Sequence, residues 1–514
     1  MQNKVQLITY ANRFGGNGLA DLLALIQGPL HGLFGGVHIL PFYLPIDGAD
    51  AGFDPIDHSE VDPQIGAWRD IAAIAGKADV MADVIVNHMS ANSPQFRDYI
   101  RHGADSAYRG LFLTRDDVFP GGASDEDLRQ IYRPRPGVPF TEITLDDGSV
   151  RAFWTTFTSQ QIDINVSDPQ GQQYIDDILY KLNKAGVRMV RLDAVGYAVK
   201  KAGTSCFMLP ETFGFIDQIS ARARELQIEV LVEVHSYYKS QIDISRRVDW
   251  VYDFALPPLV LHAFFFKTAT SLKEWVRIRP TNAVTVLDTH DGIGIIDIGA
   301  KGKDGANPGL VPPDELNALV ELIHQNTRGQ SRLATGQAAS NLDLYQVNAT
   351  YYDALGRSDP AYLLARAIQF FLPGVPQVYY VGLLAGENDM ALLARTGVGR
   401  DINRHYYGKQ EVLDNLARPV VRNLMDLIRL RNIHPAFGGE FALGPSDDTQ
   451  LCLRWTRGDQ FAELTVDFAC AQGLLRYTDG RGVQTWTIDQ GTATRPSMPF
   501  GQPVPVPNGG RISA

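Results

Sequence analysis

Eight short apolar runs, separated by helical stretches, leave few folds open to this chain. They lie at residues 4–11, 36–43, 79–88, 187–193, 228–233, 250–257, 283–291 and 375–381. Runs that are apolar nearly throughout suit strands buried on both faces, as in a parallel sheet covered by helices. The stretches between them include LADLLALIQGPL, a helical pattern from Trp68, one at 215–226 and AYLLARAIQFFL. In SDPQGQQYIDDILYKLNKAG, Asp168 stands as an N-cap ahead of Pro169 and opens an amphipathic helix that leads into the fourth run. Strand–helix alternation repeated eight times predicts an α/β fold, a (β/α)8 barrel.

Two stretches break the rhythm. Residues 87–167 are rich in Arg, Pro, Gly and aromatics, as in IYRPRPGVPF and FWTTFTSQQ, and residues 293–356 are rich in Gly, Asp and Asn. Both follow barrel strands, the third and the seventh, and read as loop insertions. The barrel then comprises 1–86, 168–292 and 357–435. From residue 436 the runs LCLRWTR, FAELTVDF, GLLRYT and VQTWTI alternate with Gly and Asp and predict a C-terminal antiparallel β-domain over 436–514, with a Pro/Gly-rich tail.

Composition excludes several classes. Apolar residues make up 45% and charged residues 20% of the 514, as in an ordinary globular protein. A net charge of −11 argues against a nucleic-acid surface. The cysteines Cys206, Cys452 and Cys470 have neither metal-site spacing nor the number a disulfide framework needs. No basic-then-apolar signal pattern opens the chain and no apolar run is long enough for a membrane span, so a cytoplasmic protein without membrane partners is expected.

The run VRMVRLD places Arg191 and Asp193 on one face of a strand. Arginine beside a carboxyl favours its ionised form, which suits a nucleophile. Alone, the pair reads more readily as a structural ion pair. Two further runs end on acids, Glu233 in LVEVH and Asp291 in LDTHD, and in a closed barrel such ends converge on one rim. Glu233, in apolar surroundings with His235 on its face, suits a proton donor. Transfer of a glycosyl group needs two carboxyls flanking the bond, one nucleophile and one acid, and a third can stabilise the positive sugar.

The motifs DVIVNH, RLDAV, EVH and LDTHD, in this order, resemble those of the α-amylase superfamily of retaining glycosidases and transglycosidases. The longer stretches ITYA, HILPFY, DGADAGFDPIDH, YRPRPG, AGTSCFM, VYDFALPPL, SNLDLYQVN, LPGVPQVYYVG and GRDINRHYY are similar to its phosphorolytic subgroup acting on sucrose. The resemblance runs to about residue 435. It implies Asp193 as nucleophile, Glu233 as general acid/base and Asp291 as transition-state stabiliser. It adds Arg191, His88 and His290 around a donor glucose, Asp50 and Arg400 on its far hydroxyls, and Phe53 as an apolar platform. On the acceptor side Arg135 and His235 are the local candidates for an anion, and the resemblance adds Tyr345. Leu342, Asp343 and Gln346 on that loop, with Phe157 and Gln161 from the first insertion, complete the implied substrate contacts.

The activity so implied converts sucrose and phosphate to glucose 1-phosphate and fructose. The alternatives are a phosphorylase of sucrose 6′-phosphate, of glucosylglycerol or of glucosylglycerate, a plain α-glucosidase, or a barrel kept only for binding. Pro134 before Arg135, and Tyr345 in place of a histidine, favour unphosphorylated sucrose. No cofactor and no metal are expected, calcium included, and the resemblance allows a homodimer.

Overall fold

The computed structural model describes all residues except 49, 134–136, 302–306, 336–345 and 490–514. Eight parallel strands close into a barrel: β1 (Gln6–Thr9), β2 (Gly36–Ile39), β3 (Asp79–Ile85), β4 (Met189–Asp193), β5 (Glu229–Val232), β6 (Trp250–Asp253), β7 (Ala283–Thr285) and β8 (Val375–Tyr379). Each pairs with its neighbours in chain order, and β1 closes the ring on β8 through Gln6↔Gln377, Leu7↔Val378 and Ile8↔Tyr379. The barrel interior is filled rather than hollow: Met81, Met189, Leu231, Tyr252, Phe254, Val284 and Val286 form one buried cluster. A polar layer built on His38, Asp83 and Arg191 is also fully buried.

Most helices over the strands bury an apolar face, while Leu256–Phe266 and Asp359–Phe371 are buried nearly all round. The helix Pro169–Lys184 starts as expected, with the Asp168 carboxylate accepting from the Gln170 N–H, and buries Ile175, Ile178, Leu179 and Leu182. Several strands are shorter than the apolar runs that encode them. β5 stops at Val232 and β7 at Thr285, so Glu233 follows its strand directly, whereas Asp291 lies six residues beyond. Asp291 is therefore not at a strand end. Opposite Thr285 stands Pro376, which has no N–H to offer the ladder. The run 79–88 also divides. After Ile85 the chain leaves the barrel, and His88–Ser90 pairs antiparallel with Gln161–Asp163 at the base of the first insertion.

That insertion is more ordered than its composition suggests. It holds the helices Pro94–His102, Arg115–Val118 and Asp125–Gln130, the hairpin Phe140–Thr144 with Val150–Trp154, and a small core of Leu113, Phe119, Ile131 and Trp154 that Cys206, from beyond β4, completes. In the second, Ile293–Gly294 pairs with Gln346–Val347, and the helices Pro313–Asn326 and Gln330–Thr335 lie between. Beyond the helix Pro419–Ile433, strands β9 (Glu440–Leu443), β10 (Gln450–Arg457), β11 (Gln460–Asp467), β12 (Gln472–Asp479) and β13 (Gly482–Ile488) form an antiparallel sheet in chain order. Its alternate residues Leu451, Leu453, Trp455, Leu464, Leu475 and Trp486 are buried. The Trp455 indole donates to the Phe371 carbonyl (2.7 Å), tying this sheet to the barrel helix Asp359–Phe371. Among the described residues no helix is long and apolar enough to cross a membrane.

Candidate active site

A cavity of about 650 Å³ opens on the C-terminal rim of the barrel. Asp193, Glu233, His235, His290 and Asp291 line its floor. Asp50, Phe53, His88, Phe157, Gln161, Gln346 and Arg400 line its walls. Parallel register builds the floor: Arg191 on β4 is level with Asp83 on β3, and Asp193 is level with Ile85. The Arg191 guanidinium donates from Nη1 to Asp83 Oδ1 (2.5 Å) and to Asp193 Oδ1 (2.9 Å), and its Nη2 lies 3.9 Å from Glu233 Oε2. One buried cation thus ties together carboxyls from β3, β4 and the end of β5. Arg191 itself is buried beneath Asp193 and is not among the residues lining the cavity.

Ala194, in the left-handed region at φ 54°, follows Asp193, and its N–H donates to Glu233 Oε2 at 3.2 Å. Glu233, His235 and Asp291 each present a side-chain atom within 4.8 Å of the others. The three sequence-predicted carboxyls therefore share one floor. Asp291 receives the Arg400 guanidinium at 2.8 Å, with Arg404 at 4.0 Å and His290 Nε2 at 3.6 Å. Burial opposes its charge, yet Arg400, His290, Arg191 and Arg404 together hold its carboxyl well below the usual range.

At Asp193 the balance runs the other way. Burial, then the charges of Glu233, Asp83 and Asp291, push its carboxyl well above the ordinary range, and Arg191 pulls it down by less. Arg191 acts on Asp193 in the direction expected from the sequence, but burial and the neighbouring acids act against it. The guanidinium is divided between acids, and it favours Asp83, whose carboxyl lies at about 2: burial raises it, but His38 and Arg191 outweigh that. Asp83 was not singled out from the sequence, although an acid inside the apolar DVIVNH run is the signal that marks it.

Phe53 stacks flat on His290, with centroids 4.8 Å apart and planes at 5°, and forms one wall. His88 is fixed opposite: its Nε2–H donates to the Phe53 carbonyl (2.9 Å) and its ring meets Phe157 edge-on. Burial lowers the pKa of both histidines. Gln161 Nε2 lies 3.2 Å from His88 Nε2, and Gln346 Oε1 accepts from the Gly292 N–H (3.3 Å). Arg135, Leu342, Asp343 and Tyr345 lie outside the described residues.

Two further groups had no sequence-level assignment. Lys200 is buried and bridges the Asp163 carboxylate (2.5 Å) and the Asn87 amide oxygen (2.9 Å), clamping the first insertion to the end of β3. Asp297, from the second insertion, holds His235 Nδ1 at 2.8 Å.

A barrel carrying three carboxyls on its C-terminal rim, with an ordered insertion after β3, defines the α-amylase class. A family model described as the alpha amylase catalytic domain matches residues 30–245. Sucrose phosphorylase of Agrobacterium vitis is 58% identical over 92% of this chain and 97% of its own. Sucrose phosphorylase of Bifidobacterium adolescentis is 52% identical over 92% and 94%. The crystal structure of sucrose 6F-phosphate phosphorylase from Thermoanaerobacter thermosaccharolyticum superimposes with a TM-score of 0.87 at 36% identity, covering 94% of this chain and 98% of that one. Within the α-amylase class, this chain belongs to the sucrose phosphorylase family.

Proposed function

We propose that this protein is a retaining phosphorylase that transfers the glucosyl group of sucrose to phosphate, releasing fructose and α-glucose 1-phosphate. The observation that carries this reading is the shared floor of Asp193, Glu233 and Asp291 around the Arg191 guanidinium. Asp193 attacks the anomeric carbon while Glu233 protonates the departing fructose oxygen, and a β-glucosyl-enzyme forms on Asp193. The Arg191 guanidinium, 2.9 Å from Asp193 Oδ1, favours the charged form that the nucleophile needs when it attacks. Asp291, kept ionised by Arg400, faces the positive charge that grows on the ring.

Phe53, on its His290 backing, offers an apolar face to the sugar, and Asp50 and Arg400 offer an acceptor and a donor to its far hydroxyls. Phosphate then enters from the side that fructose vacates, with His235 and Arg135 as its donors. Two inversions give net retention. Leu342, Asp343, Tyr345 and Gln346 belong to the acceptor loop of this reading, with Phe157 and Gln161 opposite.

Supply of sucrose with phosphate, scored for glucose 1-phosphate against free glucose, tests the assignment, with sucrose 6′-phosphate in parallel. Glucose 1-phosphate from sucrose is expected. A rate that survives omission of phosphate would identify a hydrolase, and a preference for the phosphorylated sugar would transfer the reading to that substrate. The 58% identity to a sucrose phosphorylase, against 36% to a sucrose 6F-phosphate phosphorylase, supports the unphosphorylated sugar.

A further inference from the structure

We propose that Asp297 is a positioning residue for the second half of this reaction: it holds His235 as an imidazolium, with Nε2–H turned to the acceptor, and so makes an anion rather than water the group that collects the glucosyl unit. This rests on the phosphorolytic reading above.

Asp297 is fully buried, and three donors converge on its two oxygens. His235 Nδ1 lies at 2.8 Å, the Ser236 N–H at 3.1 Å and the Gln241 amide at 2.8 Å. An ionised carboxylate, an acceptor at both oxygens, takes all three. With Nδ1–H given to Asp297, the tautomer is set and Nε2 is the nitrogen directed at the cavity, 3.9 Å from Glu233 Oε1. The ring plane is fixed as well, stacked on Phe254 with centroids 3.7 Å apart. Gly294 completes the cradle, since a Cβ there would stand 2.1 Å from Asp297 Oδ2 and 2.9 Å from His235 Nδ1.

Charge makes this arrangement more than a brace. Among the described residues, the charged groups that act on His235 include Asp297, Glu233 and Asp291. Against the downward pull of burial they raise its pKa, Asp297 most of all. Phosphate has to enter a cavity whose floor is acidic, and it needs a cation there. Arg400, which lines the cavity, is engaged with Asp291, and Arg191 lies outside the lining, between Asp83 and Asp193. Together with Arg135, His235 supplies positive charge on the acceptor side, and Asp297 keeps it there.

The test compares the wild-type enzyme with Asp297→Asn, using inorganic sulfate as a competitor of phosphate. Sulfate stays a dianion from mildly acid to mildly alkaline pH, so any pH dependence of its inhibition constant belongs to the protein. Wild-type inhibition should weaken as pH rises through the imidazolium titration. In Asp297→Asn that profile should move to lower pH, and the KM for phosphate should rise by about ten- to a hundredfold, the loss expected for one charge-assisted hydrogen bond. Glucosylation by glucosyl fluoride should stay close to wild type, with product shifting toward free glucose. A variant that loses thermal stability but keeps the wild-type sulfate profile would overturn the proposal.

Should Asp297→Asn fail to fold, ¹⁵N-histidine spectra of the wild-type protein, with the His235 signal assigned by its loss in His235→Asn, decide the matter. Both ring nitrogens protonated at neutral pH support the proposal, and a neutral ring overturns it. A wild-type enzyme that makes no glucose 1-phosphate would instead sink the phosphorolytic reading and leave the nitrogen spectra untouched, so the two failures are distinct.

Discussion

At Asp193 two effects compete, and their balance bears on how each half of the reaction responds to mutation. Burial and three neighbouring acids favour its protonated form, and Arg191 favours the ionised one. Asp193 and Glu233 have different tasks, and removing either acid should have a different signature. Glu233→Gln removes the proton donor, so sucrose cleavage should fall by about a hundred- to ten-thousandfold. Glucosyl fluoride needs no acid for its leaving group, and phosphate arrives already ionised, so the same variant should keep most of its phosphorolysis of that donor. Equal loss with both donors would refute the division of roles. Asp193→Asn should abolish turnover of both, checked by the absence of a trapped glucosyl-enzyme in mass spectrometry.

On the scale of single elements, the catalytic geometry depends on how β7 ends. Its ladder stops at Thr285, and the chain then crosses the rim through Val286 to Asp291 without strand pairing. Buried groups behind it take over. Asp288 receives Arg366 Nη2 on both oxygens, at 2.8 and 2.7 Å, and Arg366 also reaches Gln369 Oε1. Gly382 leaves space for this pair, as a Cβ there would lie 2.0 Å from Asp288 Oδ2. Arg366→Met should strand a buried carboxylate and cost about 3–5 kcal/mol in urea unfolding, whereas Asp288→Asn combined with Arg366→Met should cost less. If the single and double variants unfold alike, the pair is not the anchor of this segment. The LDTHD run holds two acids, of which the sequence singles out Asp291 and leaves Asp288 without a role. The distinction lies in which side of the strand layer Arg366 occupies, and Arg366 sits in a helix 78 residues away in the chain.

For the molecule as a whole, the buried histidines predict its response to acid. Burial, and to a smaller extent the charge of His88, push His58 down to about 3 from 6.5, and burial also lowers His88 and His290. A histidine whose folded pKa is depressed stabilises fully above its unfolded value, and that stability is lost as pH falls below it. Between about pH 6.5 and 3 His58 should remove about 1.4 kcal/mol per pH unit, and His88 and His290 act in the same direction. The melting temperature should therefore drop through this window, and His58→Gln should flatten the drop by one proton. An unchanged slope would mean that His58 is protonated in the folded state. What the sequence determined by itself is the barrel, its helices, the antiparallel sheet and the three acids brought to one rim. Each of these is written in local periodicity, or in residue types whose place a closed barrel dictates. What only the tertiary structure decided is which charges meet. Asp83 competes for Arg191, Arg400 holds Asp291, and Asp297 reaches back from a distant insertion to His235. Side-chain ionisation depends on burial and on neighbours a few ångströms away, and those neighbours are set by the closing of the chain on itself rather than by the order of its residues.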